Sequence, residues 1–353
     1  MRVYANTDPR LGPREIADLA RRVEGAGYDG MHVSETVHDP FLLAMSALQA
    51  TSRIVVRTSV ALAFVRSPVA VAYTAWDLAR LSGGRFELGL GSQIRQNVEE
   101  RYAMPWSEPA SRMREYVQVV RAAFATFRTG SLVPFVGEHY RFTRMQPYFN
   151  PVDGVAPPPD PRILLGGVGR RMCRAAGEVA DGYIGHPTNS GRAVLVADVL
   201  PALAEGATSA GRRLADLEVV AGVQVITGET DDVLSRARER QRRQFAFLYS
   251  TPAYRGALDH AGIGHLQENL ARMVRQDDWT DLPDVVTDDV LAALVPTARY
   301  AELAGVVAER VGGLVDGVTL ALPVDPADDH LMARVVAELQ KTAPPHRHEG
   351  DPA

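Results

Sequence analysis

Four segments of the chain share one pattern, in which a glycine-containing turn follows a helical pattern and precedes a short apolar strand. They are EGAGYDGMHVS (24–34), ARLSGGRFELGLG (79–91), GEVADGYIGHP (177–187) and GGLVDGVTLALP (312–323). Glycine suits this place because a left-handed residue commonly ends a helix. The strand that follows is apolar, which is typical of a parallel strand buried on both faces. The repeated pattern therefore predicts an α/β protein with a parallel sheet.

Further strands are predicted by apolar runs at Arg2 to Asn6, Ile54 to Leu62, Arg162 to Leu165 and Leu217 to Ile226. Helical spacing of apolar residues is clearest at 13–25 and 68–82. Eight strands with helical segments between them predict a closed (βα)8 TIM barrel. A doubly wound sheet remains the alternative, because strand order cannot be read from one sequence.

The length of 353 residues suits one large barrel, predicted over residues 1–340. Two insertion segments, at about 92–161 and 244–298, exceed the usual length of a connection. The first contains a predicted helix at 111–128 and a Pro-rich stretch, and we expect both insertions to act as lids or oligomer contacts. The polar segment 341–353 is predicted to be a disordered tail.

Composition narrows the class of partner. With 43 acidic and 38 basic residues and a net charge of -5, the chain lacks a broad positive field for nucleic acid or an anionic membrane. A small organic substrate is expected instead, together with assembly into a homodimer or higher homo-oligomer. The single cysteine, Cys173, excludes an intrachain disulfide and a thiolate-rich metal site, and we expect it to serve packing. No His/Asp/Glu set has ligand spacing, so no metal is expected.

The N-terminal stretch lacks the apolar segment of a signal peptide, and no run reaches the roughly 18 apolar residues of a membrane span. These features, with the single cysteine, predict a cytoplasmic protein.

The barrel prediction divides the polar motifs between two faces, because chemistry in such barrels lies at the C-terminal ends of the strands. Asp29, Asp181 and Asp316 fall in the turns before strands, and we interpret them as turn-forming residues. The strand-end segments on the opposite face carry the candidate site residues. These segments are 34–41, 58–64, 89–97, 165–171 and 185–189, and the single residues Asn6 and Gln224 join them.

The segment LGGVGRR (165–171) is the strongest of these candidates. Three glycines at a strand end precede a helix that opens with Arg170 and Arg171, so backbone N–H groups and the helix dipole both favour an anion. The alternative is a packing turn. The segment GLGSQIRQN (89–97) is less specific, since its spacing is not GxGxxG.

Three side chains are candidates for acid–base chemistry. Glu35 is either a buried acid or an acceptor for a cofactor N–H group. His38 follows it in a strand-end loop, although HDP is also an ordinary turn. His186 follows the sixth strand and could donate a proton or serve as a hydrogen-bonded structural histidine.

Several segments together resemble the luciferase-like monooxygenase superfamily, and within it the actinobacterial oxidoreductases that use the deazaflavin coenzyme F-420. The resemblance runs from the first strand to about residue 323. It is carried by GYDGMHVSETVHDPF, TSVALAFVRSPVAVAYTAWDLARLSGGRFELGLGSQ, MPWSEPASRMREYVQVVRAAF, GEVADGYIGHP and STPAYRGALDHAGIGHLQ. It implies a TIM barrel with the cofactor across the C-terminal strand ends.

The resemblance also implies site residues. Glu35 takes the place of an acid that faces the cofactor ring region. Ser59 and Val60 match a strand-3 bulge with a non-proline cis peptide in deazaflavin users. Polar residues that contact the coenzyme match Ser92 and Asn97. The phosphate loop after strand 5 matches Gly166, Gly167, Val168, Gly169 and Arg170.

Two positions depart from the sugar-phosphate dehydrogenases of this superfamily. Those enzymes have a histidine directly after the strand-2 acid and a glutamate in the strand-4 loop, where this chain has Thr36 and Ile94. Their substrate and proton donor therefore do not transfer. The resemblance implies hydride transfer between C5 of the deazaflavin and a small organic substrate. An FMN-dependent monooxygenase and a non-catalytic flavin-binding protein are the alternatives.

Overall fold

A computed structural model of the protein describes residues 1–151, 159–343 and 345. At its centre are eight parallel strands. They are β1 (Arg2–Asn6), β2 (Gly30–Val33), β3 (Val55–Thr58, continued at Ala61–Leu62), β4 (Phe86–Gly91), β5 (Ile163–Gly166), β6 (Gly182–Ile184), β7 (Glu218–Gly222) and β8 (Gly317–Ala321).

Each strand pairs in parallel with the next one along the chain, and β8 pairs with β1 from Arg2 opposite Gly317 to Asn6 opposite Ala321. This last pairing closes the sheet. The predicted (βα)8 barrel is confirmed, and the doubly wound alternative is wrong because such a sheet keeps two open edges.

Thirteen helices are present in the described residues. They are α1 (Pro13–Gly25), α2 (Pro40–Ala50), α3 (Pro68–Ser82), α4 (Pro109–Thr129), α5 (Arg170–Val179), α6 (Arg192–Val194), α7 (Leu200–Ser209), α8 (Asp231–Tyr249), α9 (Arg255–His260), α10 (His265–Arg275), α11 (Asp288–Leu294), α12 (Tyr300–Val311) and α13 (Asp329–Gln340). The helices predicted at 13–25, 68–82 and 111–128 are confirmed, with α4 starting two residues earlier than expected.

The glycine turns have two different physical reasons. Gly83 ends α3 with φ of 64°, and Gly27 and Gly313 have φ of 81° and 74°, so left-handed backbone explains these three turns. In the third segment, α5 ends in extended backbone at Ala180. There Gly182 is required by close approach, because a Cβ on it would lie 2.6 Å from the backbone oxygen of Glu218.

The three turn aspartates anchor the strand beginnings. Asp29 accepts a hydrogen bond from the N–H of Val3 at 2.8 Å, and Asp181 accepts one from Ile163 at the same distance. Asp316 accepts one from a third strand at 2.6 Å. Their interpretation as turn-forming residues is confirmed, since each carboxylate satisfies a backbone donor where a neighbouring strand begins.

A buried charge cluster inside the barrel was not predicted. The guanidinium of Arg57, on β3, is fully buried and contacts the carboxylates of Glu87 and Glu218. Arg162 adds a second cation, 2.6 Å from Glu218. Burial by itself raises the pKa of Glu218, but Arg57 and Arg162 outweigh it and lower that pKa to about 2. The carboxylate is therefore ionised at neutral pH.

Both insertions carry structure of their own. The first contains α4 and a two-stranded hairpin, Phe135–Val136 with Arg141–Phe142, and its Pro-rich stretch falls largely on 152–158, outside the described residues. The second contains α9, α10 and α11. The seventh strand ends at Gly222, earlier than predicted. Most of the predicted tail, 344 and 346–353, also lies outside the described residues.

No helix within the described ranges is both long and apolar enough to cross a membrane.

Candidate active site

The loop after β2 is fixed to the end of β3 through Glu35. One carboxylate oxygen of Glu35 accepts a hydrogen bond from the backbone N–H of Leu62 at 2.8 Å, and the Arg66 guanidinium lies 2.7 Å from it. Arg66 also donates to Asp39 at 2.8 Å, and Asp39 in turn caps α2. The Glu35 side chain is 5% exposed. In these contacts the Glu35 carboxylate acts as a hydrogen-bond acceptor.

The peptide bond between Ser59 and Val60 is cis, as the resemblance implies. Val60 lies at the barrel mouth between the ends of β4 and β5. A Cβ on Gly91 would lie 2.5 Å from one Val60 methyl group, and a Cβ on Gly166 would lie 2.8 Å from the other. The two glycines thus make room for Val60, whose half-buried side chain forms an apolar floor at the mouth.

The loop after β4 carries Ser92 and Asn97. Both are half-buried at the mouth, where the Ser92 hydroxyl donates to the carbonyl of Gln93 and Asn97 begins a short π-helical turn. Gln93 has left-handed backbone, with φ of 61°. Arg101 ties this loop to the loop after β2 by donating to the Thr36 carbonyl at 2.5 Å.

The predicted phosphate loop lies between β5 and α5. Gly169 is the N-cap residue of the ten-residue helix α5, and no side chain caps that helix. The first N–H groups of an uncapped helix are available to an anion. Within the described part of the chain, a Cβ on Gly169 would meet no heavy atom within 4 Å, so there is open space beside these donors.

Two buried side chains, on β6 and the loop after it, hold the loop between β5 and α5. The Tyr183 hydroxyl and the Asn189 amide both donate to the Gly167 carbonyl, the amide at 3.0 Å. These two bonds occupy the Gly167 carbonyl oxygen, and the first N–H groups of α5 stay available to a ligand. Asn189 is 2% exposed, and its side-chain oxygen has no hydrogen-bond partner among the described residues. A buried acceptor of this kind is costly unless a ligand or water satisfies it.

His186 follows β6 and is the most constrained of the three acid–base candidates. Its Nδ1 lies 2.8 Å from the Thr188 hydroxyl and accepts the backbone N–H of Thr188 at 3.3 Å. Its ring stacks on Tyr254, from the second insertion, with centroids 4.6 Å apart. Burial lowers the pKa of His186 to about 4.

His38 is exposed on the rim. Its Nε2 lies 4.0 Å from the place a Cβ on Gly12 would occupy, so the imidazole leans towards the start of α1. Solvent can reach this histidine without any movement of the loop.

The structure places the predicted residues on the strand-end loops of one barrel face, and their individual roles stay predictions. Sequence reasoning missed Arg66, Tyr183 and Tyr254, which position the predicted residues, and it included Asn189 only within the candidate segment 185–189. Tyr254 lies within STPAY, one of the segments that carry the resemblance, and this was the only signal for it. Cys173 is buried in packing, with its Sγ 3.6 Å from the Tyr183 hydroxyl.

Among the described residues, no group of three or more His, Cys, Asp or Glu side chains is arranged to hold a metal ion.

Comparison with known proteins places this site in a family. The family model for the luciferase-like monooxygenases matches residues 2–317. An uncharacterized protein of Mycobacterium tuberculosis is 40% identical over 302 residues, covering 86% of this chain and 88% of that protein. An F-420-dependent glucose-6-phosphate dehydrogenase of Nakamurella multipartita is 32% identical over 304 residues, covering 81% and 83%.

A solved structure has the same fold. The coenzyme F-420-dependent tetrahydromethanopterin reductase of Methanopyrus kandleri superposes with a TM-score of 0.77 at 20% identity, covering 96% of this chain and 98% of that one. The family model spans most of the barrel, from β1 to the start of β8. The chain is an oxidoreductase of the luciferase-like monooxygenase family.

Proposed function

We propose that the protein is a coenzyme F-420-dependent oxidoreductase that transfers a hydride between C5 of the deazaflavin and a small organic substrate. The proposal is supported by relatives whose names include this coenzyme and by the loop between β5 and α5. That loop carries the argument, because it combines an uncapped helix N-terminus with open space beside Gly169.

The residues present fit this cofactor. The loop 166–170 would hold its phosphate, and the apolar floor formed by Val60 over Gly91 and Gly166 would support a flat ring. Glu35, Ser92 and Asn97 stand on neighbouring loops and would contact the ring and its linker. When bound, the deazaflavin supplies or accepts the hydride at C5, while the barrel contributes positioning and electrostatics.

The three acid–base candidates would have separate roles. Glu35 accepts hydrogen bonds from Arg66 and the Leu62 N–H and keeps the β3 bulge in place. His38 exchanges the proton that accompanies the hydride, because its exposed ring can equilibrate with solvent. His186 contacts the substrate.

Replacing Gly169 with tryptophan is expected to weaken coenzyme binding more than tenfold, or about 1.4 kcal/mol. The indole would occupy the space beside the first N–H groups of α5, and a Cβ here displaces no described protein atom. Affinity is measured by fluorescence titration of purified protein with F-420.

Gly25→Trp, on the opposite barrel face, is the matched control, because a Cβ there also meets no described atom within 4 Å. Equal affinity in the Gly169 and Gly25 variants would remove this loop from the cofactor site.

Hydride transfer is expected to proceed without oxygen. Reduced F-420 mixed anaerobically with a panel of ketones, aldehydes and enones should be reoxidised by at least one of them, as followed by the deazaflavin absorbance. Turnover that starts only when oxygen is admitted would favour the FMN-dependent monooxygenase. Binding of coenzyme without turnover under any condition would favour the non-catalytic flavin-binding protein.

The proposal includes a cytoplasmic location and a homodimer or higher homo-oligomer. The outer face of α2 supports the second point. Leu42 and Met45 are 59% and 41% exposed on this helix, which carries no charged residue between Pro40 and Ala50. An apolar helix face of this kind is typical of a surface that is covered in an assembly.

A further inference from the structure

The loop that carries His186 is locked between two strand ends. The Ser190 hydroxyl donates to the His186 carbonyl at 2.9 Å and accepts the backbone N–H of Gly222, at the end of β7, at the same distance. Close packing leaves no freedom at Gly185, since a Cβ there would lie 2.5 Å from the Ser190 hydroxyl. The backbone of His186 therefore has one position relative to both strands.

The hydrogen bonds of this loop select one tautomer of the imidazole. A backbone amide can only donate, so the N–H of Thr188 requires Nδ1 of His186 to accept. The Thr188 hydroxyl, 2.8 Å from Nδ1, can donate to the same atom. A neutral imidazole that accepts at Nδ1 carries its proton on Nε2. The described hydrogen bonds of the ring all use Nδ1, which leaves the Nε2–H for a ligand.

Tyr254 covers one face of this ring. It stacks on His186 with an interplanar angle of 19° and reaches it from the second insertion, across the barrel mouth. The stacked ring excludes water from one face of the imidazole. Burial lowers the pKa of this ring to about 4. Tyr254 is the titratable group that faces His186 across this contact.

We propose that His186 donates a hydrogen bond through Nε2–H to the reacting oxygen of a carbonyl substrate, and that Tyr254 is a positioning residue which keeps this donor neutral and oriented. This rests on the proposed hydride transfer and specifies its substrate class as an aldehyde or ketone and the corresponding alcohol. As the hydride forms the new C–H bond, the carbonyl π pair moves to the oxygen. The Nε2–H stabilises that charge, and the proton comes from elsewhere, which is the task assigned to His38.

The two amide substitutions of His186 separate its nitrogen atoms. Asn places a polar atom near the position of Nδ1 and none at Nε2, whereas the longer Gln places an amide N–H near Nε2. We expect His186→Asn to lower turnover by about 100-fold, the usual loss for one donor to a developing oxyanion. His186→Gln should stay within about tenfold of the wild type. Coenzyme affinity should be unchanged in both.

The tautomer and its cause are tested without coenzyme or substrate. In ¹⁵N-labelled protein, wild-type His186 should show a neutral Nε2–H form down to about pH 5, and Tyr254→Phe should behave alike. Tyr254→Leu should raise the His186 pKa towards its ordinary value of about 6.5. With substrate, the same variant should gain a step in the pH profile of turnover near that pKa.

A wild-type His186 that titrates near pH 6.5, or that protonates Nδ1 when neutral, would overturn the proposal whichever cofactor the enzyme uses. Equal losses of turnover in His186→Asn and His186→Gln would overturn the role of Nε2–H. If the wild-type protein does not bind F-420, the proposed function is contradicted, and the imidazole measurements remain valid.

Discussion

Replacing Arg57 with methionine is expected to lower the free energy of unfolding by about 3–5 kcal/mol. The Arg57 guanidinium is fully buried and neutralises Glu87 and Glu218, with N–O distances of 2.7 and 3.1 Å. Methionine fills similar space but leaves two carboxylates in the barrel with Arg162 and Arg2, which are both partly exposed. Chemical denaturation monitored by circular dichroism measures the change.

Arg21→Met is the control, since its ion pair with Asp18 lies on the surface and should contribute less than about 1 kcal/mol. Triple replacement of Arg57, Glu87 and Glu218 by neutral residues should recover part of the loss, because no carboxylate then lacks its partner. Equal stability of the Arg57 and Arg21 variants would show that the buried cluster does not stabilise the barrel.

The same cluster makes the free energy of unfolding depend on pH. The folded pKa of Glu218 is about 2, below its ordinary 4.5, so its contribution is complete above about pH 4.5 and is lost as the pH falls towards 2. Without Arg57, burial raises this pKa and the acid-dependent loss should shrink. Unfolding measured between pH 2 and 5 in both proteins tests the difference.

Replacing His38 with asparagine is expected to lower turnover by about 100-fold while coenzyme affinity stays within a few-fold. The exposed imidazole, proposed to exchange the substrate proton, can be lost without disturbing the loop 166–170 or the Val60 floor. Steady-state kinetics and F-420 titration of the same preparation separate the two effects.

Added imidazole should restore part of the activity of His38→Asn, because the position is open to solvent. His139→Asn, in the hairpin of the first insertion, is the control and should retain wild-type turnover. If His38→Asn also retains full turnover, the proton is exchanged by another group, and the role assigned to His38 is wrong.

The sequence by itself determined the eight strand–helix units, because glycine turns and continuous apolar runs are local features. It also placed the candidate site residues on one barrel face, and the structure brings them together there. Asp29, Asp181 and Asp316 were correctly assigned to the stabilising face from their place before a strand, and the structure shows each carboxylate bound to a neighbouring strand's N–H. The motif at 166–170 was recognisable because a glycine-rich loop and the helix it opens are contiguous in the chain.

Tertiary structure alone decided the contacts between residues that are distant in sequence. Arg57 and Glu218 are 161 positions apart and meet only because β3 and β7 face the same barrel interior. From the sequence alone, His186 could equally be a proton donor or a structural residue. Its ring stacks on that of Tyr254, which the second insertion brings to a centroid distance of 4.6 Å. The burial of Arg57 and the stacking of His186 depend on contacts between distant parts of the folded chain. A local sequence pattern does not indicate such contacts.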